Sequence, residues 1–165
     1  MNATNRQQNQ KGPAGPAFSP ANPFFGLLPR EFAGRLKDPF VYNIVVSVNA
    51  TSTNTGTAQI QNDSDFVWTQ GVVVVTDTAG TVFTAATNVP ALVSITDSAS
   101  GRGLQDQATH VSGWFGSAQL PFFLQMPKIF RAGGQVSALV QNQSAGTLVF
   151  RFSFHGFKVF PMAAQ

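Results

Sequence analysis

The residues suited to acid–base or metal chemistry are few and widely spaced along the chain. The 165 residues include two histidines, His110 and His155, seven Asp and Glu side chains and no cysteine. Acid–base catalysis and metal binding need such groups close together, whereas the two histidines fall on different predicted strands. Glycoside hydrolysis needs two facing carboxylates, and the only glutamate is Glu31, outside the predicted β domain. We therefore expect no enzymatic activity, no metal and no cofactor.

Two polar stretches could still hold an ion or an ion pair. "NDSD", residues 62–65, presents oxygen atoms of the kind that calcium prefers, but it lacks the further spaced ligands and the closing glutamate of a calcium loop. A turn that leads into a strand is the preferred interpretation. In "DSASGRG", residues 97–103, Asp97 and Arg102 could form a salt-bridged turn. Nucleophile-elbow, Walker, dinucleotide-binding and zinc-protease motifs are absent from the sequence.

The two tryptophans are the candidates for ligand binding. Trp68 and Trp114 could be exposed platforms for a sugar, which keeps a carbohydrate- or receptor-binding β-sandwich as an alternative function. Phe66 and Trp68 share one face of a predicted strand, so burial in a core is the competing explanation. Nucleic-acid binding needs a basic surface with stacking aromatic side chains. Residues 41–165 are neutral overall, so nucleic acid is not the expected partner, and weak phosphate contact by the basic residues of the arm is the alternative.

From residue 41 onward the apolar residues recur with a period of two, which is typical of strands. Tyr42, Ile44, Val46 and Val48 share one face, and turn clusters rich in Gly, Asn, Asp and Ser separate the later apolar runs. The pattern predicts an antiparallel sandwich or barrel of about eight strands. The strands are expected at 41–50, 57–61, 65–76 with an interruption near Gly71, 81–85, 91–97, 110–118, 122–126, 135–142 and 147–161.

The last of these strands carries five phenylalanines. Phe150, Phe152 and Phe154 alternate onto one face and should supply the core. At His155 and Gly156 the sequence predicts a β-bulge, after which Phe157 and Val159 should take over the inner face.

Residues 1–40 differ in character and are predicted to form an extended arm, with the β domain spanning 41–165. Six of the ten prolines lie in residues 1–39, and the whole net charge of +3 lies in the arm. Apolar residues in a proline-rich segment are typical anchors for docking on another surface, and folding back on the chain's own core is the alternative. The anchors are Phe18, Phe24, Phe25, Leu27, Leu28, Phe32 and Leu36, and the basic contacts are Arg6, Lys11, Arg30, Arg35 and Lys37.

Composition and targeting signals indicate a protein that packs against neighbours. Charged residues make up 10% of the chain, against about 25% in an average domain, so the surface offers little charge repulsion. No apolar run approaches the roughly 20 residues of a membrane helix, and the N-terminus has no secretion signal. We expect no membrane partner and synthesis in the cytoplasm.

The order of features after residue 41 resembles single jelly-roll structural proteins of tailed bacteriophage particles. The resemblance rests on N-D-S-D-F (62–66), D-x-x-x-G-R (97–102), G-x-x-x-L-P-F (116–122) and F-H-G-x-K (154–158), and it covers about three quarters of the chain. It implies a single jelly roll whose terminal arm laces around neighbouring subunits, and it carries over no catalytic residue.

The resemblance also implies a location and partners. The expected role is a capsid cement or decoration protein of a virion assembled in the host cytoplasm. A homo-oligomer is expected, in contact with the major capsid protein or other virion subunits. A major or minor shell subunit, or a neck or tail component, is the alternative structural role.

Overall fold

A computed structural model describes residues 30–83 and 89–161. Within these residues the chain forms ten strands and two single-turn 3-10 helices, Arg30–Phe32 and Val111–Gly113. The strands are β1 (Lys37–Val48), β2 (Thr53–Gln59), β3 (Asp65–Asp77), β4 (Val82–Phe83), β5 (Ala91–Asp97), β6 (Arg102–Gly103), β7 (Thr109–His110), β8 (Phe122–Phe130), β9 (Gln135–Asn142) and β10 (Leu148–Val159).

The strands of the described residues lie in two antiparallel sheets that pack face to face. The first sheet has the order β1-β10-β3, and β8 and β4 share the far edge of β3. The second sheet has the order β2-β9-β5, and β6 and β7 share the far edge of β5. The predicted all-β antiparallel fold is confirmed, and of the two predicted forms it is the sandwich, not a closed barrel.

The strand pairing follows the winding of a jelly roll. Pairs form between the first and last strands, β1 and β10, and then successively inward between β2 and β9, β3 and β8, and β5 and the short β6 and β7. These strand pairs are joined into two sheets because β10 also pairs with β3, and β9 also pairs with β5. Two interlocked Greek keys in facing sheets are the defining feature of that architecture.

The core lies between the sheets and is strongly aromatic. Trp68 is fully buried at its centre, and the ring centroids of Trp114, Phe115, Phe130 and Phe154 lie 4.9 to 6.2 Å from that of Trp68. As predicted, the inner face of β10 supplies Leu148, Phe150, Phe152 and Phe154, and that of β1 supplies Tyr42, Ile44, Val46 and Val48.

The predicted bulge occurs at His155 and Gly156, but the extra residue belongs to β3 and not to β10. Gln70 pairs with His155 and Trp68 pairs with Gly156, so Thr69 is the unmatched residue. Because β10 keeps its phase, Phe157 and Val159 lie on the outer face, and the prediction that they take over the inner face is wrong. A Cβ at Gly156 would lie 1.9 Å from the carbonyl oxygen of Val67, so only glycine fits where β3 bends towards β10.

Other predicted strand bounds also differ from the structure. β3 continues through Gly71 without interruption. The predicted strand at 110–118 is instead β7, a 3-10 turn and a loop, because this segment folds back over β3: a Cβ at Gly71 would lie 2.4 Å from the Trp114 carbonyl oxygen. β1 begins at Lys37, so residues 37–40 of the predicted arm are part of the first sheet.

Candidate functional site

The end of the arm packs on the outer face of the first sheet. Phe32, in the first 3-10 turn, is 1% exposed and forms a small apolar cluster with Val67, Phe157 and Val159, with Ile129 at its margin. These partners come from β3, β10 and β8 and point away from the main core. The outer face is therefore covered at this point by the chain's own N-terminal segment.

Ion pairs surround this apolar contact. The Arg131 guanidinium donates to a Glu31 carboxylate oxygen at 3.0 Å and to an Asp65 oxygen at 2.9 Å, and the pKa of Arg131 is raised by its hydrogen bonds to Glu31 and Asp65. Arg131 and Arg35 both lie over the Phe32 ring, 5.8 and 5.4 Å from its centroid. We call Glu31, Phe32, Arg35, Asp65 and Arg131 the arm junction.

The apolar contact of the arm junction matters more to stability than its ion pairs. The Arg131 side chain is 56% exposed, and exposed ion pairs contribute about 0–1 kcal/mol each. Burial of a phenyl side chain contributes about 1.5–3 kcal/mol. Phe32 therefore fixes the segment, and the charged groups orient it.

The structure locates some of the predicted arm residues. Phe32 packs on its own sandwich, which is the fold-back alternative, and Leu36 is exposed. Arg30 is exposed, Arg35 is half-buried, and the Lys37 ammonium donates to the Arg35 carbonyl oxygen at 3.1 Å. The remaining predicted anchors and basic contacts lie outside the described residues: Phe18, Phe24, Phe25, Leu27, Leu28, Arg6 and Lys11.

The carboxylates of residues 62–65 are held in ion pairs. Asp63 accepts a hydrogen bond from the Ser64 hydroxyl, which lowers the pKa of Asp63, and lies 3.5 Å from the buried Lys158 ammonium. Asp65 binds Arg131 and accepts the backbone N–H of Ala132 at 2.9 Å. In the part of the chain that the structure describes, no three His, Cys, Asp or Glu side chains are grouped to hold a metal ion.

Asp97 is paired with Lys128 and not with Arg102, so the predicted salt-bridged turn is wrong in its partner. The Lys128 ammonium, from the facing sheet, lies 2.9 Å from the nearly buried Asp97 carboxylate, whereas Arg102 is exposed in β6. Burial alone would raise the pKa of Asp97, but hydrogen bonds from Lys128 and Ser100 lower it overall. The pair connects β5 to β8 across the sandwich.

The two histidines lie in different sheets of the sandwich. The His110 Nδ1 lies 2.8 Å from the Ser112 hydroxyl oxygen, and it accepts the Ser112 backbone N–H at the start of the second 3-10 turn. His155 lies on the outer face of β10, opposite Val41 and Gln70. The two imidazoles are not brought together.

The tryptophans do not form an open platform. Trp68 is fully buried, and its Nε1 donates to the Gln70 carbonyl oxygen at 2.7 Å. Trp114 is half-buried and packs against Trp68 with 5.7 Å between ring centroids. Trp68 therefore belongs to the core and is not the exposed platform that the sugar-binding alternative requires.

The sequence patterns gave no indication of an exposed apolar edge. Five exposed apolar side chains lie on β4, on β8 or in the loop before β8, at the edge of β3: Val82, Phe83, Leu120, Phe123 and Met126. Alternation placed 81–85 and 122–126 in strands, but a period of two does not show which strands end up at an edge.

Comparison with protein-family models, with curated proteins and with solved structures found no match. Among the described residues there is no helix of the length and apolarity needed to cross a membrane.

Proposed function

We propose that this chain is a structural subunit of a tailed-phage particle, of the capsid cement or decoration type, which stabilises a shell through contacts between copies and through docking of its arm. The observation that carries the proposal is the arm junction. Burial of Phe32 and pairing of Glu31 with Arg131 fix the point at which residues 1–29 join the sandwich. A segment rich in apolar anchors is thereby tethered to a defined place on the outer face of a jelly roll.

The surface of the sandwich supports a role in protein contacts. Charged residues are sparse, and several of the described ones are paired with each other, as Asp97 is with Lys128. Apolar side chains are exposed along the β4–β8 edge. Grouped apolar residues on a surface are typical of sites for other proteins.

Attachment of the arm at the arm junction favours its contacts with neighbouring subunits. Each phenylalanine or leucine that the arm buries on a neighbour would contribute about 1.5–3 kcal/mol before ordering costs. Because the junction holds one end of the arm, the second and later contacts form at high effective concentration. Several arms in a closed oligomer would multiply this gain.

Light scattering on the full-length chain beside a chain that begins at Arg30 tests the proposal. The shortened chain keeps Phe32 and Glu31, so its sandwich should fold, which circular dichroism checks. We expect a defined oligomer for the full-length chain and a smaller species for the shortened one. If both are the same folded monomer, the arm is not an assembly device.

A further inference from the structure

A groove opens at the edge of the first sheet, between β4 and the loop before β8. Its volume is about 220 Å³, its floor is Val73 and Val74, and its sides are Val82 and Phe83 on one side and residues 117–119 on the other. None of these lining residues is charged. The groove is therefore an apolar site with neutral polar margins.

The groove exists because the edge of β3 is only partly paired. β4 pairs with Val75 and Thr76, and β8 pairs with β3 up to Gly71. Among residues 30–83 and 89–161, only Gly116 meets the edge between these points, and its carbonyl oxygen accepts the Val73 N–H at 2.9 Å. The loop after Gly116 and β4 flank this gap and form the two sides of the groove.

The size and chemistry of the groove match one aromatic ring. Small-molecule pockets are usually about 300–1,000 Å³, which is larger than this groove, whereas a cavity of about 150 Å³ accommodates benzene. The uncharged lining would not repay the desolvation of a charged ligand. An apolar side chain from a protein is the fitting occupant.

The arm contains such side chains in a matching context. Residues 18–28, "FSPANPFFGLL", carry three phenylalanines and two leucines and no charged residue. Five prolines in residues 1–29 remove backbone N–H donors, which disfavours addition of the arm as a strand at the free edge of β1. Side-chain insertion into a groove is the mode that a proline-rich segment supports.

The length of the chain between the apolar residues 24–28 and the arm junction favours the groove of another copy. Leu27 and Leu28 lie two or three residues before Arg30, which spans about 6–9 Å in an extended proline-rich chain. From Val67 at the arm junction to Val73 in the groove is six residues along β3, or about 20 Å. Phe24 reaches that distance only at full extension, so for the Phe24 and Phe25 pair the length of the chain favours the groove of another copy.

From these observations we infer that the groove binds an aromatic ring of the Phe24 and Phe25 pair from the arm of a second copy of this chain. The inference rests on the proposed function of the arm as an assembly device. It adds the receiving surface: Val73, Val74, Val82 and Phe83.

Disulfide trapping tests the pairing directly, because the chain has no cysteine of its own. One full-length chain carries Gly26→Cys, which leaves both phenylalanines in place, and a second, differently tagged chain carries Ala118→Cys at the groove margin. After mixing and mild oxidation, we expect a linked dimer of the two tags on a non-reducing gel. The control partner carries Gly146→Cys in an exposed turn where a Cβ meets no atom within 4 Å, and it should not link.

The other trapping results overturn the inference. Equal linking to Ala118→Cys and Gly146→Cys would show no preference for the groove. A chain with both Gly26→Cys and Ala118→Cys that links within itself at high dilution, while mixed single variants do not link, would place the arm on its own copy. Light scattering on the same samples separates the two proposals. An oligomer that gives no linked dimer contradicts the groove inference but not the proposed function. A monomer contradicts both.

A matched pair of charge substitutions gives an independent measurement. Val82 lines the groove and is 55% exposed, and Val45 is 61% exposed on β1 at the opposite edge of the same sheet. We expect Val82→Asp to weaken self-association at least tenfold and Val45→Asp to leave it unchanged, with both variants folded by circular dichroism. Equal effects, or a larger effect from Val45→Asp, would overturn the inference.

Discussion

Replacement of Phe32 by alanine should lower the free energy of unfolding by about 2–4 kcal/mol, although Phe32 lies in a segment predicted to be part of an arm. Its side chain is 1% exposed, and loss of that burial costs about 1.5–3 kcal/mol. The two guanidinium groups over its ring add about 0.5–1 kcal/mol each. Together these contributions come to about 2.5–5 kcal/mol. We expect the smaller loss of about 2–4 kcal/mol because a terminal segment can detach instead of leaving the cavity that raises the cost of Phe→Ala in cores.

Guanidinium chloride denaturation measures this loss, with Leu36→Ala as the matched control in the same segment. Leu36 is 66% exposed, so its truncation should change the free energy of unfolding by less than about 0.5 kcal/mol. If Phe32→Ala is as stable as Leu36→Ala, the segment is not docked on the sandwich in solution. The arm junction would then lose its role in the proposed function.

Three further predictions concern the sandwich itself. Gly156→Ala should destabilise the fold by about 3 kcal/mol or more, because its Cβ would collide with a β3 carbonyl oxygen, whereas Gly146→Ala has free space and should be neutral in the same denaturation assay. The pKa of Asp97 is lowered in the folded protein, so its ionised form stabilises the fold above the unfolded pKa of about 3.9, and this stability is lost as the pH falls through the lower folded pKa. Asp97→Asn should therefore have a smaller free energy of unfolding at pH 7 and should lose less of it between pH 7 and pH 3. An unchanged pH dependence of the free energy of unfolding would refute this. Trp114→Phe leaves Trp68 as the only indole, and its fluorescence should be blue-shifted and resist acrylamide quenching; strong quenching would restore an exposed sugar platform.

The alternation of apolar residues was sufficient to predict the fold class and the core faces of β1 and β10. A strand that is buried on one face must alternate, so Tyr42, Ile44, Phe150 and Phe152 could be assigned to the core without the structure. The turn clusters predicted where some strands end. β5, for example, spans the predicted residues 91–97.

Features that depend on a second segment were not predictable. Phe157 and Val159 are buried on the outer face because the segment with Phe32 covers them, and local periodicity carries no information about that cover. The bulge at Thr69 arises from pairing between β3 and β10, and the glycine on the partner strand misdirected the prediction. The partner of Asp97 comes from the facing sheet for the same reason.

The candidate site was predictable only in part. The sequence singled out the arm by its prolines and anchors, and Phe32 and Arg35 do occur at the arm junction. The pairing of Asp65 with Arg131 was missed, since the two residues are separated by 66 positions and meet only through the pairing of β3 with β8. The groove was missed because exposure at a sheet edge is set by which strands are short, as β4 is.

Sedimentation velocity on three full-length chains tests most directly whether apolar anchors in the arm drive assembly. The first chain is unchanged, the second has the five anchors of residues 18–28 replaced by serine, and the third has the two basic residues of the distal arm replaced by glutamine. The replaced anchors are Phe18, Phe24, Phe25, Leu27 and Leu28, and the replaced basic residues are Arg6 and Lys11. We expect a defined oligomer for the first and third chains and a folded monomer for the second. Equal sedimentation of all three would show that the apolar anchors do not drive assembly.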